Sequence, residues 1–157
     1  MKDWINNLPT DKKIALAIQF AKLALPIWDK YALKKKLTYR DSIVGIKHTI
    51  EKNLLLNTIT AVESYLVSND KHTLLQLYSS FQEPIVALQD DDWELPNEVC
   101  KTFYSVYNLL KGVLENKENT FGEESLYVCV NQAIEATDTA KLLSIEVIKT
   151  MLLAYEA

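Results

Sequence analysis

Two histidines, two cysteines and one dense run, Asp90-Asp91-Asp92-Trp93-Glu94, are the side chains through which this chain could do chemistry. A di-iron carboxylate centre needs Glu-x-x-His on two helices. The residues three before His48 and His72 are Gly45 and Asn69, so that site is excluded. His48 and Glu51 stand at i, i+3 and would pair on a helix surface, but two ligands do not make a zinc site. Cys100 and Cys129 have no CxxC spacing and sit among apolar neighbours (Val99 and Phe103; Val128 and Val130). They read as small buried hydrophobes rather than reactive thiols. A Ser or Cys nucleophile needs a positioned base and an oxyanion hole. The chain has no GxSxG elbow, and no GxGxxG or GxxxxGK[ST] loop to cradle phosphate. No catalytic residue, metal ligand or cofactor is expected, and the chain does not read as an enzyme.

The acidic run is what remains. Asp92 and Glu94 precede a helix expected to begin at Pro96, where negative charge meets the positive end of the helix dipole. One or two carboxylates satisfy that dipole. Three consecutive aspartates also repel one another, which favours a cation or a basic partner nearby. A tryptophan within a polar loop either folds back as a lid on the core or stands out as a contact anchor, a role Trp often fills at interfaces. The expected partner-binding set is therefore Asp90, Asp91, Asp92 and Glu94 as field and acceptors, with Trp93 as apolar anchor. Glu115, Glu118, Glu123 and Glu124 form a second acidic stretch. One helix separates the two, so in an up-down bundle they should lie at opposite ends.

Charge is divided along the chain. Residues 1–78 hold twelve Lys/Arg against seven Asp/Glu, whereas residues 79–157 hold five Lys against fourteen Asp/Glu. The overall charge of −4 hides that asymmetry, which points to an electrostatically chosen partner. Nucleic acid is not that partner. Lys34-Lys35-Lys36 and Arg40 are the basic cluster, but Arg40 is the sole arginine and the pI is about 5.2.

The elements that must position these residues are helices. Gly and Pro together number seven, three plus four, where average usage would give roughly nineteen. Sheets and barrels need closely spaced glycine turns, and bundles do not. A hydrophobic content of 48% with 24% charged residues is ordinary globular composition. No stretch approaches the ~20 apolar residues of a membrane span, and the start lacks an apolar export signal. A cytosolic chain with reduced thiols is expected.

Thr10 or Asp11 caps a first helix carrying Ile14, Ala17, Ile18, Ala21 and Leu25, and Pro26 either kinks it or begins another. Lys34-Lys35-Lys36 closes that segment. Thr38 or Asp41 opens the next, with one stripe through Ile43, Ile46, Ile50 and Leu54 and a second through Leu55, Ile59, Val62 and Leu66, ending at Ser68-Asn69-Asp70. A shorter helix follows from Leu74 to Phe81, and Pro84 reads as the first turn of another to Gln89. Pro96 starts the clearest helix, with Val99, Phe103, Val106, Leu110 and Val113 on one face. Leu126, Val130, Ala133 and Ile134 mark a penultimate helix, Thr137-Asp138-Thr139 a cap, and Ile145, Ile148, Leu152 and Tyr155 a last helix. The expected fold is all-α: one domain, 1–157, an antiparallel bundle of about six to eight helices.

The block Ala15-Leu16-Ala17-Ile18-Gln19-Phe20-Ala21-Lys22-Leu23-Ala24-Leu25-Pro26-Ile27-Trp28-Asp29-Lys30-Tyr31 resembles the opening of all-α immunity proteins from bacterial polymorphic toxin systems, and the similarity continues through Ile43 to Ile50. It covers about the first third of the chain, largely at core positions. The resemblance implies a cytosolic, non-enzymatic inhibitor that binds a cognate toxin and blocks its active site. Such toxins are often basic nucleases, which an acidic surface would meet by mimicking nucleic acid. The alternative of another class is a helical scaffold or regulatory subunit that binds a cellular protein through a groove, its acidic loop only solvating the domain.

Overall fold

A helix apolar on two sides has to be sandwiched, and the first long helix is. The computed structural model describes residues 2–115, 124–140 and 145–154. A short helix α1 (Lys2–Asn6) precedes α2 (Thr10–Lys34), whose Leu16, Ala17, Phe20, Ala21, Ala24 and Trp28 are all but inaccessible to water. Pro26 neither ends nor divides α2, which runs through it as one helix. Nor does a Thr10 or Asp11 side chain cap α2; the Pro9 carbonyl accepts from Lys13 N–H instead. Beyond it come strands β1 (Thr38–Arg40) and β2 (Lys47–Thr49), then α3 (Leu54–Ser68), α4 (His72–Gln89), α5 (Asn97–Glu115), α6 (Ser125–Thr139) and α7 (Ile145–Leu153). The described residues thus hold seven helices and one hairpin, an all-α fold.

Cross-helix contacts give the direction of each helix. Along α5 the residues Lys101, Ser105 and Gly112 meet Glu135, Cys129 and Leu126 of α6, so the two run antiparallel. Lys13 and Ala17 of α2 meet Glu124 and Cys129, so α2 runs with α6. Lys22 reaches Glu63, and Trp28 Nε1 donates to the Lys52 carbonyl at 2.9 Å, so α3 runs against α2. Tyr78 of α4 stacks on Tyr107 and Phe81 packs at a tilt against Phe103, so α4 opposes α5. The order from α2 to α6 is therefore up-down-up-down-up around one apolar cluster. Close α5–α6 packing relies on Gly112, where a Cβ would lie 2.7 Å from the buried Leu126 side chain.

Three expectations are corrected. The segment from Thr38 to Ile50 is not helical; it is an antiparallel hairpin pairing Thr38 with Thr49, Tyr39 with His48 and Arg40 with Lys47. Asp41 does not open a helix but closes the turn. Its Oδ1 accepts from the Ile43 and Val44 N–H groups at 2.7 and 3.1 Å, and Gly45 follows at φ +77°. That left-handed backbone is ready for glycine and costly for other residues. His48 accordingly faces Glu83 of α4 rather than Glu51, with Nδ1 3.4 Å from the carboxylate. Second, Pro84 lies inside α4, and no separate helix begins there. Phe81, Pro84 and Ile85 are all buried, so core packing continues across the missing donor. Third, Thr137 to Thr139 belong to the last turn of α6, where Thr137 Oγ1 donates back to the Ala133 carbonyl at 3.0 Å. Of the remaining sites, Glu118, Glu123 and Tyr155 lie outside the described residues.

Candidate functional site

In an up-down bundle the α2–α3 and α4–α5 connections emerge at the same end. The hairpin and the acidic run are therefore neighbours, although fifty residues separate Ser42 from Asp92. The α4 helix ends in a left-handed turn: Asp91 has φ +60°, its N–H points to the Leu88 carbonyl, and Asp92 N–H donates to the Ala87 carbonyl at 2.9 Å. This is a Schellman arrangement, with aspartate in the position glycine usually takes. Trp93 N–H donates to the same Ala87 carbonyl at 3.1 Å, which turns the chain back over the core.

That reversal corrects the assignment of Trp93. Its side chain is 5% exposed and cannot be a contact anchor. The indole packs edge-on against Trp28 and Phe103 and stacks on Tyr39, with ring centres 6.4, 5.4 and 5.7 Å apart. Trp93 is the lid on the core. Tyr39 in turn stacks on His48 at 5.0 Å, so one aromatic series joins hairpin, loop and bundle.

The carboxylates divide into two groups. Asp92 is half-buried, and its Oδ2 accepts from the Ser42 N–H at 3.2 Å and the Ser42 hydroxyl at 3.0 Å, clamping the hairpin tip to the α4–α5 loop. Asp90, Asp91 and Glu94 are exposed, and none makes a side-chain hydrogen bond or ion pair with another described residue. Two carboxylates that the sequence did not mark join them. Asp41 from the hairpin and Glu83 from α4 line, with Asp90 and Asp92, an open cleft of about 240 Å³ that also touches Ile43 and Val86. His48 is the one basic side chain among its lining residues. The local field appears in two neighbours. Burial first, then the charges of Glu83, Asp41 and Asp92, push the Tyr39 phenol above its ordinary value. The Val44 and Ile43 N–H groups, helped by His48, hold Asp41 below the usual carboxylate range.

Elsewhere the chemistry is muted. Burial pushes the Cys129 thiol up to about 12, against a weaker opposing hydrogen bond from Ser105, and burial raises half-buried Cys100 despite Lys101 beside it. Thiols held protonated are poor nucleophiles. Among the described residues no group of three or more His, Cys, Asp or Glu side chains is placed to hold a metal ion, and no helix is long and apolar enough to cross a membrane. Glu124 pairs with Lys13 at 2.6 Å near the start of α2, at the far end of the bundle from Asp90–Glu94.

The signal for Asp41 and Glu83 was weak. An aspartate four residues before a glycine, within β-branched residues, marks a turn, and Glu83 carries no local mark at all. Comparison of the chain with protein-family models, with curated proteins and with solved structures finds no match.

Proposed function

We propose that this chain is a non-enzymatic, cytosolic immunity protein that binds and neutralises a cognate bacterial toxin through the acidic end of its bundle. One observation supports the reading above others. Asp41, Glu83, Asp90 and Asp92 come from three separate segments and line one open cleft without a lysine or arginine among them. Converging like charges cost folding free energy through self-repulsion, and a basic partner relieves it. A toxin that must hold phosphate supplies such a surface, and complementary charge speeds its capture. The anchor role first given to Trp93 passes to other residues, because the indole is occupied within the core.

The test uses the product of a neighbouring gene encoding a secreted toxin with a variable C-terminal domain. Co-expression should restore growth, and the two proteins should co-purify. The variant Asp90→Asn/Asp91→Asn/Glu94→Gln leaves the Asp92–Ser42 clamp intact and should weaken binding about tenfold or more while flattening its salt dependence. Unchanged affinity would remove the acidic end as the site. A chain that protects against no toxin but holds a housekeeping protein would belong to the scaffold class.

A further inference from the structure

The tip of the hairpin is unlike an ordinary turn. Ile43, Val44 and Ile46 are 89%, 67% and 54% exposed, three branched aliphatic side chains in four consecutive positions. Val86, 52% exposed on α4, lines the acidic cleft together with Ile43. The tip is also held in place. Besides the two N–H groups taken by Asp41, Arg40 donates to the Gly45 carbonyl at 2.6 Å and Asp92 grips Ser42. The apolar side chains are thus presented on a braced backbone, so little ordering cost remains to be met on binding.

We infer that this hairpin tip is the apolar half of a docking surface whose occupant is a basic, amphipathic segment of a protein partner. One lysine or arginine side chain enters the cleft between hairpin and α4, and flanking aliphatic residues cover Ile43, Val44 and Val86. The inference rests on the acidic-end reading and names the chemistry of its partner. The cleft, at about 240 Å³, falls below the roughly 300–1,000 Å³ of small-molecule sites, which suits one inserted side chain rather than a whole ligand. Its carboxylates repel nucleic acid and anionic lipid. They also disfavour a second copy of this chain, because a two-fold contact would set the same acids against each other.

Three ten-residue synthetic peptides test this, alternating Leu with Arg, Ser with Arg, and Leu with Glu. Each is titrated into the isotope-labelled protein while the backbone amides of residues 41–46 and 83–92 are followed. The Leu–Arg peptide should shift both sets and bind about tenfold tighter than the Ser–Arg peptide. The variant Ile43→Ser/Val44→Ser/Ile46→Ser alters only exposed side chains; it should bring Leu–Arg binding down to the level of Ser–Arg binding. Equal binding of the two Arg peptides to the unaltered protein overturns the apolar half and leaves the acidic-end reading standing. A Leu–Glu peptide that binds as well as Leu–Arg, or Arg peptides that shift neither set at low salt, overturns both. Concentration-dependent dimerisation that the triple variant abolishes would assign the tip to a second copy and overturn the proposed occupant.

Discussion

Asp91 carries two burdens, because it holds a left-handed backbone and stands beside two further aspartates. With φ at +60° its Cβ is strained, and the turn that buries Trp93 depends on that conformation. Glycine relieves both the strain and part of the repulsion. Asp91→Gly should raise the unfolding free energy by up to about 1 kcal/mol, read as a higher midpoint in urea with an unchanged slope. Trp93→Ala should act the opposite way and far more strongly. Removing an indole packed against Trp28, Tyr39 and Phe103 leaves a cavity, costing about 3–5 kcal/mol. Equal small effects from the two substitutions would mean that the indole is not the lid described. Both residues lie in the acidic run, yet one shapes the backbone and the other seals the core. Neither role follows from being next to acids.

At the scale of the element, the carboxylate that closes the hairpin turn from within is that of Asp41. The folded-state pKa of Asp41 lies below its unfolded value, so its support for the turn is complete above about pH 4 and is lost as pH falls through the folded value. The protection of the Ile43 and Val44 amides, taken relative to the unstructured exchange rate at each pH, should fall as pH drops below about 4, and in Asp41→Ala it should be low at every pH. The hairpin also explains where the sequence misleads. Ile43, Ile46, Ile50 and Leu54 recur at helical spacing, but three of these positions belong to the hairpin and its exit, and Ile43 and Ile46 face water. Periodicity cannot distinguish a buried stripe from aliphatic residues displayed on a turn. The long helices were legible because their stripes meet a core; Val99, Phe103, Val106, Leu110 and Val113 of α5 are all buried. Pro84 misled because a missing donor is visible in a sequence, whereas the packing that tolerates it is not. The acidic run announced itself by composition. Asp41 and Glu83 reach it only through tertiary folding, so no local pattern could have included them.

Across the whole molecule, the division of charge along the chain does not become a division into two halves. Lys13–Glu124 joins the two stretches between α2 and the start of α6, whereas Lys22–Glu63 and Lys101–Glu135 each pair charges from within one of them. Both signs of charge stand together at the end of the bundle that carries the hairpin. There the acidic cleft shares the surface with a second, larger cleft of about 420 Å³, lined by Lys30, Lys34 and Lys35 at the end of α2 with Pro96 and Val99 at the start of α5. The two clefts act on an approaching basic segment with opposite sign. Near the surface they are not resolved from each other at low salt, because the screening length at 0.1 M is about 10 Å and grows as salt falls. The lysines should therefore slow the capture of a basic partner without touching the bound state. Lys30→Gln/Lys34→Gln/Lys35→Gln is expected to raise the association rate of the Leu–Arg peptide several-fold at low ionic strength, to leave its dissociation rate unchanged, and to lose the advantage near 0.5 M salt. Stopped-flow fluorescence across a salt series reads all three. A change confined to dissociation would show that the lysine cleft takes part in the contact itself, and the field would no longer be what separates the two surfaces.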